Sequence, residues 1–140
     1  MRKLFVPLIL GVALLIPGQA AAKSRHYAGA VTPSGSISFN VIQKKHSKQK
    51  SVKGFAFSGI PVTCADGPAT THGDVTFPVK LHKSGSFNIN ASSSVTGASL
   101  QVSGNLSAGT IHVSGNVPLD PSGTGDGCDS GVLSWTAQRG

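Results

Sequence analysis

The chain has 140 residues, a formal net charge of +7 and only two cysteines. Its five acidic residues are all aspartates, Asp66, Asp74, Asp120, Asp126 and Asp129, and there is no glutamate. With one methionine and abundant glycine, the composition is poor in helix formers, which excludes a helical bundle, and its length leaves room for one core rather than two.

Met1, Arg2 and Lys3 place positive charge ahead of an apolar run from Leu4 to Ile16, which Pro17 and Gly18 break. This is the pattern of an export signal, and the run is too short for the roughly 20 residues that cross a bilayer. Ala20, Ala21 and Ala22 supply the small residues of a cleavage site, favoured after Ala22 with Ala20 as the alternative. The expected organisation is residues 1–22 as signal peptide and 23–140 as one secreted domain with no transmembrane anchor, extracellular or held at the cell envelope. Cleavage would remove Arg2 and Lys3 and keep all five aspartates, leaving a charge of +5.

After residue 22 the hydrophobic period is two. Tyr27 to Val31 reads as a strand, and Ile37, Phe39 and Val41 alternate with Ser36, Ser38 and Asn40. Lys44, Lys45, Lys48, Lys50 and Lys53 then fall where alternation stops, around His46. A solvated hairpin tip is the plain reading of this run, and lysine there discourages edge pairing. Five cations in ten residues also make a candidate anion-binding patch. No aromatic residue lies between Phe39 and Phe55 to stack on bases, which argues against specific nucleic-acid binding.

Val52 to Phe57 is a further strand. Val75, Phe77, Val79 and Leu81, followed by Lys83-Ser84-Gly85-Ser86 and then Phe87 and Ile89, predict a hairpin from Val75 to Ala91. Leu100 to Leu106 and Ile111 to Val117 predict another, in which Val102-Ser103-Gly104-Asn105-Leu106 is echoed eleven residues on by Val113-Ser114-Gly115-Asn116-Val117. Two copies are too few for a solenoid, and the glycine in each signals a bulge or a close backbone approach. Asp120 to Gly127 reads as a turn-rich loop rather than a calcium site, because the EF-hand pattern ends on a glutamate. Val132 to Ala137 is the last strand. The sum is an all-β fold, a single antiparallel β-sandwich or flattened β-barrel of about eight strands, its core formed by Phe39, Phe55, Phe57, Phe77, Phe87 and Trp135.

Cys64 and Cys128 allow one pairing, and in an exported chain a disulfide is expected. In the loop-entropy model it disfavours the unfolded chain by about 4 kcal/mol. It would also bring Asp66 towards Asp129. The histidines His26, His46, His72, His82 and His112 are scattered without metal-ligand spacing, so neither metal nor cofactor is expected.

Two resemblances bear on function. Cys128-Asp129-Ser130-Gly131 followed by Ser134-Trp135 is superficially similar to the nucleophile region of chymotrypsin-like serine proteases, which would make Ser130 the nucleophile. Cys128 and Val132 stand where that family has glycines, the chain is far short of two barrels, and no histidine followed by cysteine offers the base, so no catalytic residue is assigned. Tyr27-Ala28-Gly29, Phe57, Cys64, Gly85-Ser86-Phe87, Ala108-Gly109-Thr110, Cys128-Asp129-Ser130-Gly131 and Trp135-Thr136-Ala137 together resemble a group of uncharacterised secreted bacterial all-β domains, over nearly all of residues 23–140. That resemblance implies export and a β fold only. The expected function is a non-catalytic exported binding or structural module with weak affinity for anionic envelope polymers. The alternatives are a small secreted hydrolase using loop aspartates, or an inhibitor-like module presenting Gln43 to Gln49 to a protease.

Overall fold

A computed structural model describes residues 23–140; the expected signal peptide of residues 1–22 and its expected cleavage lie outside the described residues. Among the described residues there is no helix, and hence none long and apolar enough to cross a membrane. Ten strands occur: β1 (Lys23–Thr32), β2 (Ser36–Gln43), β3 (Lys50–Cys64), β4 (Gly67–Asp74), β5 (Val79–Leu81), β6 (Phe87–Ser92), β7 (Ser99–Gly104), β8 (Ala108–Pro118), β9 (Thr124–Asp129) and β10 (Leu133–Arg139). Every pairing is antiparallel.

The two longest strands organise the rest. Along one edge β3 pairs first with β2 and then, at Thr63, with Asp129 of β9; its other edge carries β5 and then β4. β8 pairs with β10 through Ile111 to Ala108 and with β9 through Ser114 to Pro118, while its opposite edge carries β7, to which β6 adds. Since β10 also pairs with β1, the ladders run β1-β2-β3-β9-β8-β10 and return to β1. The circuit is thinnest at β3–β9, where the Thr63 pair is supplemented by Ala65 N–H donating to the Asp126 carbonyl at 3.0 Å and by the Cys64–Cys128 disulfide.

Phe39, fully buried, is the hub of the core. Its ring stacks on Tyr27 at 5.2 Å, packs against Phe55 and Phe87 at 6.0 and 5.5 Å, and meets Trp135 edge-on at 6.1 Å. Such rings bury the largest apolar areas in the chain, on the order of 1.5–3 kcal/mol each. The indole N–H of Trp135 donates to the Thr110 carbonyl at 3.0 Å, so the tryptophan is buried without an orphaned donor. Gly109 lies directly beneath that ring: a Cβ there would sit 2.7 Å from Trp135 Cε2. Among the described residues the one buried polar side chain is Thr71, which donates to the Pro118 carbonyl at 2.6 Å and ties β4 to β8.

Two expectations need correction. Phe77 is not in the core but 44% exposed, because strand geometry is lost between β4 and β5 and the alternation that placed it inside no longer applies. The hairpin from Val75 to Ala91 does not form as a strand pair: β5 is three residues long and pairs with β3, whereas β6 pairs with β7, leaving only the turn bonds between His82 and Ser86 and between Gly85 and His82. The all-β antiparallel fold is as expected, with ten strands where the sequence predicts about eight: β4 arises in a stretch with no predicted strand, and β9 starts inside the segment Asp120 to Gly127 that reads as a loop. Both are polar and glycine-bearing, and each buries few positions, Thr71 in one and Gly125 and Cys128 in the other.

Candidate functional site

The β2–β3 hairpin brings the lysine run to a tip, as its loss of alternation implied. Ser47 N–H donates to the Lys44 carbonyl at 3.2 Å, the Gln43 amide donates to the Ser47 carbonyl at 2.9 Å, and His46 takes a left-handed backbone conformation with φ of 62°. Residues 44–47 are therefore folded into a turn. Lys44, Lys45, Lys48, Lys50 and Lys53 are all exposed.

Two further cations join them from a distant part of the chain. Ser51 lies opposite Lys80 and Lys50 opposite Leu81, so the β3–β5 ladder sets Lys80 and, in the following turn, Lys83 beside the tip. Lys48, Lys50, Lys80, His82 and Lys83 line one groove of about 910 Å³, with Leu81 and Leu106 as its apolar members. None of its lining residues is an aspartate, a phenylalanine, a tyrosine, a tryptophan or an arginine. The register of β1 carries more charge to the same end, because Lys23 lies opposite Gln43, and Arg139 lies opposite Tyr27.

The acids gather elsewhere. Asp66 is in the β3–β4 turn beside Cys64, Asp120 follows β8, and Asp126 and Asp129 flank Cys128 in β9. Only Asp74 stands apart, opposite Ala56 midway along β3. β3 thus runs from a lysine end at Lys50 to an aspartate end at the disulfide. Among the described residues two His–Asp contacts form, His72 Nδ1 with Asp120 at 2.6 Å and His112 Nε2 with Asp129 at 2.8 Å, and no lysine pairs with an aspartate.

The disulfide does bring Asp66 and Asp129 to one end of the fold, but Asp129 is committed locally. Its Oδ1 accepts from Gly131 N–H at 2.6 Å and faces His112. The Gly131 N–H first, and His112 second, hold this carboxyl below the usual carboxylate range. The cleft near this end, about 340 Å³ between β4 and the β6–β8 strands, is lined by His72 and Asp74 and not by Asp66 or Asp129. Ser130 Oγ donates to the Gly131 carbonyl at 2.7 Å and accepts from Val113 N–H at 2.8 Å, so its hydrogen bonds run to the backbone rather than to His112. This is not the geometry of an activated nucleophile, which needs a base on its hydroxyl. Among the described residues no three His, Cys, Asp or Glu side chains converge as a metal set.

Of the residues singled out from sequence, the five lysines come together at one end, and Lys80, Lys83 and His82, which join them, carry no local signal. The first two occupy ordinary solvent positions of a strand and a turn, and only the long-range β3–β5 pairing gives them a role. No protein-family model, no curated protein and no solved structure matches the chain.

Proposed function

We propose that the protein is a non-catalytic exported module that binds anionic polymer at the cell envelope or outside the cell, through the lysine end of its β fold. The observation that carries this reading is the segregation of charge: Lys44, Lys45, Lys48, Lys50 and Lys53 lie exposed on one hairpin, Lys48 and Lys50 share a groove with Lys80 and Lys83, and the aspartates collect around the disulfide or lie along β4. A net charge spread evenly over a surface serves solubility. Clustered like charges repel one another and lower stability, and they focus potential where a polyanion would meet it. The turn at Lys44–Ser47 interrupts the segment that would be presented to a protease, and the cleft near the disulfide end is lined by neither Asp66 nor Asp129, so the inhibitor and hydrolase readings draw no support from this geometry.

The test is retention on an immobilised sulfated polysaccharide. Elution should move to lower salt when Lys44, Lys45, Lys48, Lys50 and Lys53 are all replaced by glutamine, since screening acts on exposed charges over about 8 Å at physiological ionic strength. Retention that ignores salt would contradict a lysine-driven mechanism.

A further inference from the structure

We infer that the site proper is the groove between the hairpin tip and the β5–β6 turn, and that it takes a linear polymer whose sulfate or phosphate groups are spaced more closely than the phosphodiesters of a nucleic acid. This rests on the polyanion reading above and narrows it. Two segments remote in sequence form the groove, one giving Lys48 and Lys50, the other Lys80, His82 and Lys83, and the β3–β5 ladder fixes them against each other.

The chemistry of the lining selects the ligand class. Lysine presents a compact point charge with three donors, which suits tetrahedral oxyanions approached from several directions. Planar carboxylates are recognised best by the bidentate fork of arginine, and no arginine lines the groove. No phenylalanine, tyrosine or tryptophan lines it either, and His82 is its single ring, so nucleobases find no run of stacking rings. The surface is concave, and the tip Lys44-Lys45-His46-Ser47-Lys48-Gln49 has no apolar side chain to enter a bilayer, which favours a chain laid in the groove over a membrane plane. No acid sits among the lysines, so their mutual repulsion is relieved only by counter-ions, and an anion bound there stabilises the fold.

The disulfide-bonded protein is titrated with inorganic polyphosphate, dextran sulfate, polygalacturonate, oligothymidylate, and vesicles of equal parts phosphatidylcholine and phosphatidylglycerol, at several salt concentrations. Polyphosphate and dextran sulfate should bind more tightly than the other three and raise the melting temperature; their order separates a phosphate from a sulfate source, and either order supports the groove. Lys80→Gln/Lys83→Gln should weaken binding by about tenfold or more and lower the log–log salt slope by about two, with Lys48→Gln/Lys50→Gln doing the same. All four positions are exposed, and a thermal midpoint without polymer at or above that of wild type confirms folding. Wild-type affinity in Lys80→Gln/Lys83→Gln, with loss in Lys44→Gln/Lys45→Gln, would overturn the groove and leave the lysine-end reading standing. Equal binding of polygalacturonate, oligothymidylate or vesicles would overturn the ligand class, and no binding of any probe would overturn both.

Discussion

Lys50 of β3 lies directly opposite Leu81 of β5, and this one register places the lysine-rich tip and the turn carrying Lys83 on a common rim although all of β4 intervenes in the chain. The opposite end of β3 is Cys64, joined to Cys128. A single long strand thus connects the cationic groove to the covalent closure of the fold, and the two ends are open to independent tests.

The disulfide closes a sequence separation of 64 residues at the thinnest part of the ladder circuit. Cys64→Ser/Cys128→Ser should lower stability by about 2–5 kcal/mol, read as an earlier midpoint in urea with the all-β circular dichroism retained before the transition. A midpoint unchanged from wild type would mean that β3 and β9 hold together without the bond.

Two phenylalanines that alternate alike in the sequence should behave differently. Phe39→Ala removes the hub on which four other rings pack and should cost about 3–5 kcal/mol, whereas Phe77→Ser, at a half-exposed position, should stay within about 0.5 kcal/mol. Chemical denaturation of both variants checks the contrast.

Gly109→Val sets a branched side chain against the face of Trp135 and the neighbouring β7 backbone, and should destabilise by about 1–3 kcal/mol through overpacking. Tryptophan fluorescence reports it directly, because this is the only tryptophan in the chain. An unshifted emission maximum with wild-type stability would show that the sheet yields there at little cost.

Asp129 gives a pH dependence of definite sign. Its carboxyl is held below the usual value near 3.8 by the Gly131 N–H and by His112, so its contribution is fully present above that value and is lost as pH falls through the lower, folded one. Asp129→Asn should therefore be less stable than wild type near neutrality, with the gap closing below about pH 3.8, as thermal melts across the acid range would show. A gap constant with pH would assign the loss to packing instead.

Much of the fold is legible because period-two alternation reports which side chains meet the core. Phe39, Phe87 and Trp135 are placed correctly on that ground, and the glycines of the Val102 and Val113 repeats do mark close approach and a register shift, with Gly104 and Gly115 both at positive φ. Phe77 misleads because alternation informs only while the backbone remains a strand. β4 and β9 are invisible because their stability comes from pairing with β3 and β8 and from the disulfide, not from an apolar stripe. The lysine tip is readable as a break in pattern, yet the groove is not: Lys80 and Lys83 become part of it only through a pairing between segments with no sequence signal for each other.

The most direct measurement is an amide chemical-shift titration of the isotopically labelled protein with a short sulfated oligosaccharide. Shifts concentrated at residues 44–53 and 80–83, fading as salt is raised, are the predicted result. Perturbations centred on Asp66, Asp120 and Asp129, or none at low salt, would contradict a binding module built on the lysine end.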